Sequence, residues 1–238
     1  MKIGVLMTVY NESLYVDYAI RSSLDLFDKL SLVEGAYQET IKTNPGLSPR
    51  STDGTLDIIH KYKDYSNVNI QYRNELSDPQ QRTAGLDYLR DCDWVLICDA
   101  DEVWNEENAE ELRARLETVS PQVMTIKLDI QVFVNDFKHF TLQTMPRVFR
   151  MTPDLKFIGD NETQYFKQSI RWASSPIFWH YSYVKDHTRF NIKKKWWAAR
   201  GGSDWFIDTN GMYYSPNHKI WEYTGDHPEI MKDHPYNI

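Results

Sequence analysis

The sequence predicts an α/β fold, with a mostly parallel central sheet flanked by helices and then a mixed β/α C-terminal half. Two observations predict it. Over the first hundred or so residues, four apolar runs alternate with three helical patterns, the order of a parallel sheet with crossover helices. Beyond residue 105 the pattern changes to one long β run, several short ones and a basic, aromatic helix. The natural division is residues 1–104 and 105–238, two halves of one domain sharing a sheet, which suits a chain of 238 residues.

The elements follow in order. Lys2 to Thr8 is a buried strand leading into Asn11-Glu12-Ser13, polar residues suited to capping a helix whose stripe is Val16, Ile20, Leu24 and Phe27. Ser31 to Ala36 is a second strand. The stretch YQETIKTNPGLSPRSTDG is too rich in Pro, Gly and Ser for regular structure. A helix from about Thr55 to Tyr65 and a strand at Val68 to Tyr72 come next. Asp78-Pro79 reads as an N-cap with proline at the first helical position, opening a helix to about Arg90. The strand WVLIC and an acidic helix (Asn105 to Val119) complete this series. VMTIKLDIQVFVNDF is a long strand with a turn at Asn135-Asp136. Shorter β segments lie at Arg147 to Arg150, Lys156 to Ile158 and Ile177 to Tyr183, before the helix from about Arg189 to Arg200.

Composition narrows the function. Lys+Arg 27 against Asp+Glu 34 leaves a formal charge of −7, which argues against nucleic acid as a partner. The N-terminus is apolar over too few residues for a signal peptide, and no run approaches the ~20 apolar residues of a membrane span. Cys92 and Cys98 lack metal-ligand spacing and read as reduced, buried thiols. A cytoplasmic protein is expected, compatible with peripheral docking at a membrane. Aromatics reach 14%, and their concentration in the last third suits either a stacking cleft or a tight core.

Chemistry concentrates where the strand Val95-Leu96-Ile97-Cys98 ends in Asp99, Asp101 and Glu102. Parallel sheets bind ligands at the carboxyl ends of their strands, where Thr8 to Glu12 and Glu34 to Tyr37 also fall. Clustered carboxylates repel one another unless a cation lies between them. An Asp-x-Asp at a strand end can hold Mg²⁺ or Mn²⁺ against substrate phosphates. Capping of the next helix explains Glu102 but not Asp99 and Asp101.

TVYNE (Thr8 to Glu12), STDGT (Ser51 to Thr55) and LICDADEVW, in this order, resemble the GT-A family 2 glycosyltransferases, closely over about the first 105 residues and loosely thereafter. Thr8 replaces a common proline, Glu34-Gly35-Ala36 an acidic pair, and Arg82-Thr83 an Arg-Asn. The resemblance implies transfer of a sugar from a nucleoside diphosphate, UDP favoured, to a hydroxyl acceptor, with inversion and Mn²⁺ or Mg²⁺. It further implies that Val9, Tyr10 and Glu12 line the nucleotide pocket, that Glu34 faces the base or ribose with Asp53 beside it, and that Arg82 approaches the phosphates or base. Asp99 and Ala100 would meet the ribose, and Asp101 the metal, its shell completed by His180. Plainer roles are an Asx-turn for Asp53, a solvated helix charge for Arg82 and a core position for His180. Inversion needs a carboxylate to take the acceptor's proton; FIGDNET offers Glu162, preferred over Asp160. Of Lys193, Lys194 and Lys195, Lys194 is assigned to the diphosphate, against a solvated basic face. Asp226-His-Pro and Asp233-His-Pro read as an irregular tail.

Three other readings compete. A haloacid-dehalogenase-like phosphatase also carries Asp-x-Asp after a strand, but Gln164 stands where its last acid belongs. A sugar nucleotidyltransferase would need a Gly-rich basic loop in place of TVYNES. A non-catalytic nucleotide-sugar binding module would use the same cleft without a working base.

Overall fold

The computed structural model describes residues 1–74, 76–159, 161–172, 178–198 and 204–236. Strand β1 (Ile3–Val9) lies between β2 (Lys29–Glu34) and, on its other side, a strand formed by Trp94–Ile97; β3 (Val68–Tyr72) is outermost, and all of these pairings are parallel. Ile3, Val5, Leu6 and Met7 are fully buried, so β1 is covered on both faces, as the centre of a parallel sheet must be. One cover is α1 (Val16–Leu26), which packs Ala19 and Ile20 inward.

The expected cap of α1 is absent. The helix starts at Tyr15-Val16 without a side-chain cap, because residues 11–13 are engaged elsewhere. Asn11 N donates to Ser51 Oγ (2.8 Å), Glu12 N to Thr55 Oγ1 (2.8 Å) and Ser13 N to Asp53 Oδ2 (3.0 Å), while Thr52 N donates back to Asn11 Oδ1 (2.8 Å). The two loops thus satisfy each other's backbone. Between them, part of the expected irregular stretch is helical: α2 (Gln38–Thr43) uses QETIKT, the part free of Pro, Gly and Ser.

Helix α3 (Thr55–His60) is shorter than expected and continues as turns. Helix α4 (Asp78–Gly85) is capped by Ser77, in a reciprocal box with Gln80, rather than by Asp78. Asp78 instead pairs with Arg82 (2.7 Å), and a 3₁₀ turn at Leu86–Leu89 replaces the last helical turn. At Gly85 a Cβ would lie 2.2 Å from Leu6 and 2.8 Å from Val33; glycine is what lets α4 lie this close to the sheet.

The second half extends the same sheet. After β4 (Trp94–Ile97), the two-residue β5 (Glu102–Val103) and α5 (Glu106–Thr118), the chain forms a hairpin of β6 (Thr125–Val134) and β7 (His139–Arg150), turning at Asn135 with φ 70°. The expected short strand at 147–150 is therefore the end of a twelve-residue strand, and this end pairs antiparallel with β4. Short strands β8 (Phe157–Gly159), β9 (Glu162–Thr163) and β10 (Ser169–Arg171) precede β11 (Phe178–Tyr183), which pairs with β6 on one side and β5 on the other. Helix α6 (His187–Ala198) follows. Among the described residues no helix is long and apolar enough to cross a membrane.

Candidate active site

A cavity of about 280 Å³ opens at the carboxyl ends of β1 and β4. One wall is the segment Thr8–Glu12 and another is Asp99–Asp101; β7 supplies Gln143 and Arg147, and α6 closes the opposite side with Arg189, Lys193 and Trp196. Gly35, at the end of β2, also lines it. Its φ of +143° and a Cβ position 2.2 Å from the Arg73 carbonyl admit only glycine there.

The acids of DADE are folded into a tight turn. Glu102 N donates to the Asp99 carbonyl, and Asp99 N to Glu102 Oε2, both at 2.9 Å. Beside them β11 pairs His180 with Glu102, and Tyr181 N donates to the Asp101 carbonyl (3.0 Å). Edge pairing thus brings a residue 78 positions away against the acids.

The cations that these carboxylates need come from the chain itself. Arg147, 1% exposed, donates from Nη2 to Asp99 Oδ2 (2.9 Å) and Glu102 Oε1 (2.5 Å). Arg82 Nη2 reaches Asp99 Oδ1 at 3.4 Å. Lys185 Nζ lies 2.5 Å from Asp101 Oδ2 and 2.8 Å from Glu12 Oε1. Burial would raise the Asp99 and Asp101 carboxyls. Arg147 and Arg82 overturn this for Asp99, and Lys185 and His180 for Asp101, so both are held below the usual carboxylate range. Glu102 behaves oppositely: burial outweighs Arg147 and pushes it up to about 7. Glu12 is also raised, by burial that Lys185 only partly offsets.

The donor set suits a divalent ion. Asp99, Glu102 and His180 each place one ligand atom within 4.8 Å of the others. Both nitrogens of His180 are buried without a hydrogen bond, although Nε2 faces Asp101 Oδ1 at 3.1 Å and Nδ1 faces Glu102 Oε1 at 3.4 Å. An imidazole with one nitrogen toward an acid and the other toward a second acid has the form of a metal ligand with its orienting carboxylate.

Of the residues singled out from sequence, Val9, Tyr10, Glu12, Arg82, Asp99, Ala100, Asp101 and His180 line the cavity. Glu34 lies beneath it, fully buried, with Oε1 accepting from Ser51 N (2.8 Å) and Oε2 paired with Arg50 (2.9 Å). Asp53 makes the Asx contacts to Thr55 N and Oγ1 (3.1 and 2.6 Å) and pairs with Arg189 (2.5 Å), clasping the loop from behind. Lys194 points instead over the Phe206 ring, 5.0 Å from its centroid. Glu162 is exposed outside the lining, Asn161 beside it lines the cavity, and Asp160 lies outside the described residues.

Sequence reading missed Arg147, Lys185 and Arg189, and chose Lys194 over Lys193. Positions 189, 193 and 196 share one helical face, so the spacing marked Lys193 and not Lys194. An arginine within the apolar run before Val148-Phe149 was a sign of a buried acidic partner. Nothing local marked Lys185.

Residues 48–181, more than half of the chain, match the family described as glycosyl transferase family 2. The match begins after β1 and runs through His180, further into the second half than the motif resemblance suggests. No curated protein matches. Among solved structures, S. aureus TarS 1-349 is similar at a TM-score of 0.52 and 14% identity, covering 83% of this chain and 65% of that one. A second structure, S. aureus TarS, gives a TM-score of 0.49 at 15% identity, covering 83% of this chain and 39% of that one. This chain thus spans less than two thirds of either. A 4-diphosphocytidyl-2C-methyl-D-erythritol synthase from Anaerococcus prevotii gives 0.44 at 13% identity, covering 84% and 96%. With the family match over the acidic strand end and a fold similar to that of TarS 1-349, the chain belongs to glycosyl transferase family 2 and has the GT-A fold.

Proposed function

We propose that the protein is a metal-dependent glycosyltransferase that moves a sugar from a nucleoside diphosphate, UDP favoured, to an acceptor hydroxyl with inversion. The observation that carries this reading is the cavity at the β1 and β4 ends, where Asp99, Asp101 and His180 converge in a chain of this family. Val9, Tyr10 and Glu12 form the nucleotide wall. Asp99, kept ionised by Arg147 and Arg82, is suited to accept hydrogen bonds from ribose hydroxyls. Mn²⁺ or Mg²⁺ held by Asp101 and His180 would neutralise the departing diphosphate. Arg189 and Lys193, on the α6 face, add positive charge from the opposite side of the cavity.

For the proton of the acceptor we propose Glu162, with Asp160 as the alternative. Support comes from Asn161, which lines the cavity between them and so brings this segment to its rim. The Glu162 carboxylate lies in solvent, where an arriving acceptor would meet it. A cytoplasmic site of action accords with Cys92 and Cys98, both free and buried.

Titration calorimetry with a panel of nucleotide sugars and Mn²⁺ tests the donor. A UDP-sugar is expected to bind far more tightly than inorganic phosphate, and Asp101→Asn to abolish that preference. Failure of every donor to exceed phosphate would end the reading. Glu162→Gln separates enzyme from binding module: an enzyme keeps donor binding and loses turnover. The anomeric configuration of the product, read by NMR, decides inversion. A phosphatase using Asp99 as nucleophile is disfavoured, since both of its oxygens face guanidinium groups.

A further inference from the structure

Lys185 stands in the turn between β11 and α6, and its side chain is 6% exposed. Its Nζ bridges Asp101 Oδ2 (2.5 Å) and Glu12 Oε1 (2.8 Å), so it holds the very carboxylate to which the metal is assigned. A divalent ion arriving at Asp101 would therefore meet an ammonium already there. Charges of the same sign a few ångströms apart in a buried site oppose each other strongly. The site is nonetheless unsaturated, because both His180 nitrogens are buried without a hydrogen bond of proper geometry. An ammonium on a four-carbon stem with three rotatable donors can exchange partners, which a planar guanidinium locked between two acids does less readily. A diphosphate entering the cavity, lined by Lys185 itself, supplies the alternative partner.

We infer that Lys185 is a stand-in cation: it fills the space between Glu12 and Asp101 when no nucleotide is bound, and moves onto the diphosphate when the donor arrives, yielding Asp101 to the metal. This rests on the nucleotide-sugar reading above. Two consequences follow from one displacement. The nucleotide-free protein binds divalent metal weakly, and metal and nucleoside diphosphate strengthen each other's binding by the same factor, as linkage requires.

The test is Mn²⁺ affinity, read from the EPR signal of free Mn²⁺, for wild type, Lys185→Met, Lys185→Gln and Lys185→Arg, each with and without UDP, and with GDP in parallel. Lys185→Gln keeps hydrogen-bond capacity toward both acids and guards against a Met variant that does not fold; a cooperative melting transition qualifies each protein. The expected result is Mn²⁺ binding at least tenfold tighter than wild type for the Met and Gln variants without nucleotide. In both, the enhancement by UDP or GDP shrinks, while Lys185→Arg binds Mn²⁺ as weakly as wild type without nucleotide and gains less from UDP or GDP, because its guanidinium exchanges partners less readily. If the neutral variants bind Mn²⁺ no better than wild type, while wild type still binds it in the presence of a diphosphate, the stand-in role is overturned and the glycosyltransferase reading survives. If no variant binds Mn²⁺ with or without either diphosphate, the metal-dependent reading fails and the inference falls with it.

Discussion

The two sides of the acidic turn are neutralised in different ways. Asp99 and Glu102 share Arg147, a guanidinium 1% exposed that projects from a sheet strand. Asp101 and Glu12 share Lys185, an ammonium borne on a turn. Arginine is permanently charged and presents a rigid fork; lysine is a compact charge on a flexible stem. The Arg147 side therefore reads as a fixed frame that keeps the turn folded, and the Lys185 side as the half left free to change partners. Adjacent carboxylates in one turn can thus differ in task because their counterions come from different elements.

Truncating the two cations should break this comparison most sharply. Arg147→Met takes the guanidinium from the fully buried Glu102, leaves Asp99 with Arg82, and is expected to cost about 3–5 kcal/mol, seen as a lower urea midpoint. Lys185→Met should cost less, about 1–3 kcal/mol, and Mn²⁺ should restore much of that loss but none of the loss in Arg147→Met. Next in size, Asp101→Asn is expected to reduce turnover ~10²-fold in steady-state assays with the best donor while leaving the midpoint much closer to wild type than Arg147→Met does. Asp53→Asn, behind both sides, removes the charge facing Arg189 and should destabilise by about 1–2 kcal/mol, with donor binding weakened several-fold in calorimetry.

A pH dependence adds a separate test, at His234, remote from both sides, and at Glu102, on the Arg147 side. His234 stacks on Tyr15 with centroids 4.6 Å apart, donates from Nε2 to the Leu14 carbonyl and accepts at Nδ1 from Tyr236 N. Burial lowers its pKa to about 4. The unfolded chain binds this proton first, so its contribution to stability is lost as pH falls from ~6.5 to about 4. Glu102, raised to about 7, has the opposite sign: it favours the fold as pH falls from 7 toward its unfolded value of 4.5. Comparing urea midpoints of wild type and His234→Gln from pH 7 to pH 4 isolates the histidine, and Glu102→Gln isolates the acid. The low-lying Asp99 and Asp101 act only below this window, their stabilisation fading as pH falls beneath 3.8.

Much of the first half was readable because its forces are local. Alternating apolar runs and helical stripes produce β1 to β4 within two residues of expectation, and strand β3 at Val68–Tyr72 agrees residue for residue. The nucleotide wall was also readable, since strand ends in a parallel sheet are where ligands bind. Boundaries failed where a side chain was claimed from afar: Asn11 and Ser13 bind the 51–55 loop instead of capping α1, and Asp78 yields its cap to Ser77.

By itself the sequence determined a mostly parallel sheet to expect, an acidic strand end and a need for positive charge beside it, since short-range periodicity and like-charge repulsion are both visible in one dimension. Which cations meet that need was decided only in three dimensions. Arg147, Lys185 and His180 lie 45 to 84 positions from the strand-end acids they face. Coulombic attraction acts across space and has no period along the chain, so only the pairing of β7 with β4 and of β11 with β5 could bring those partners together.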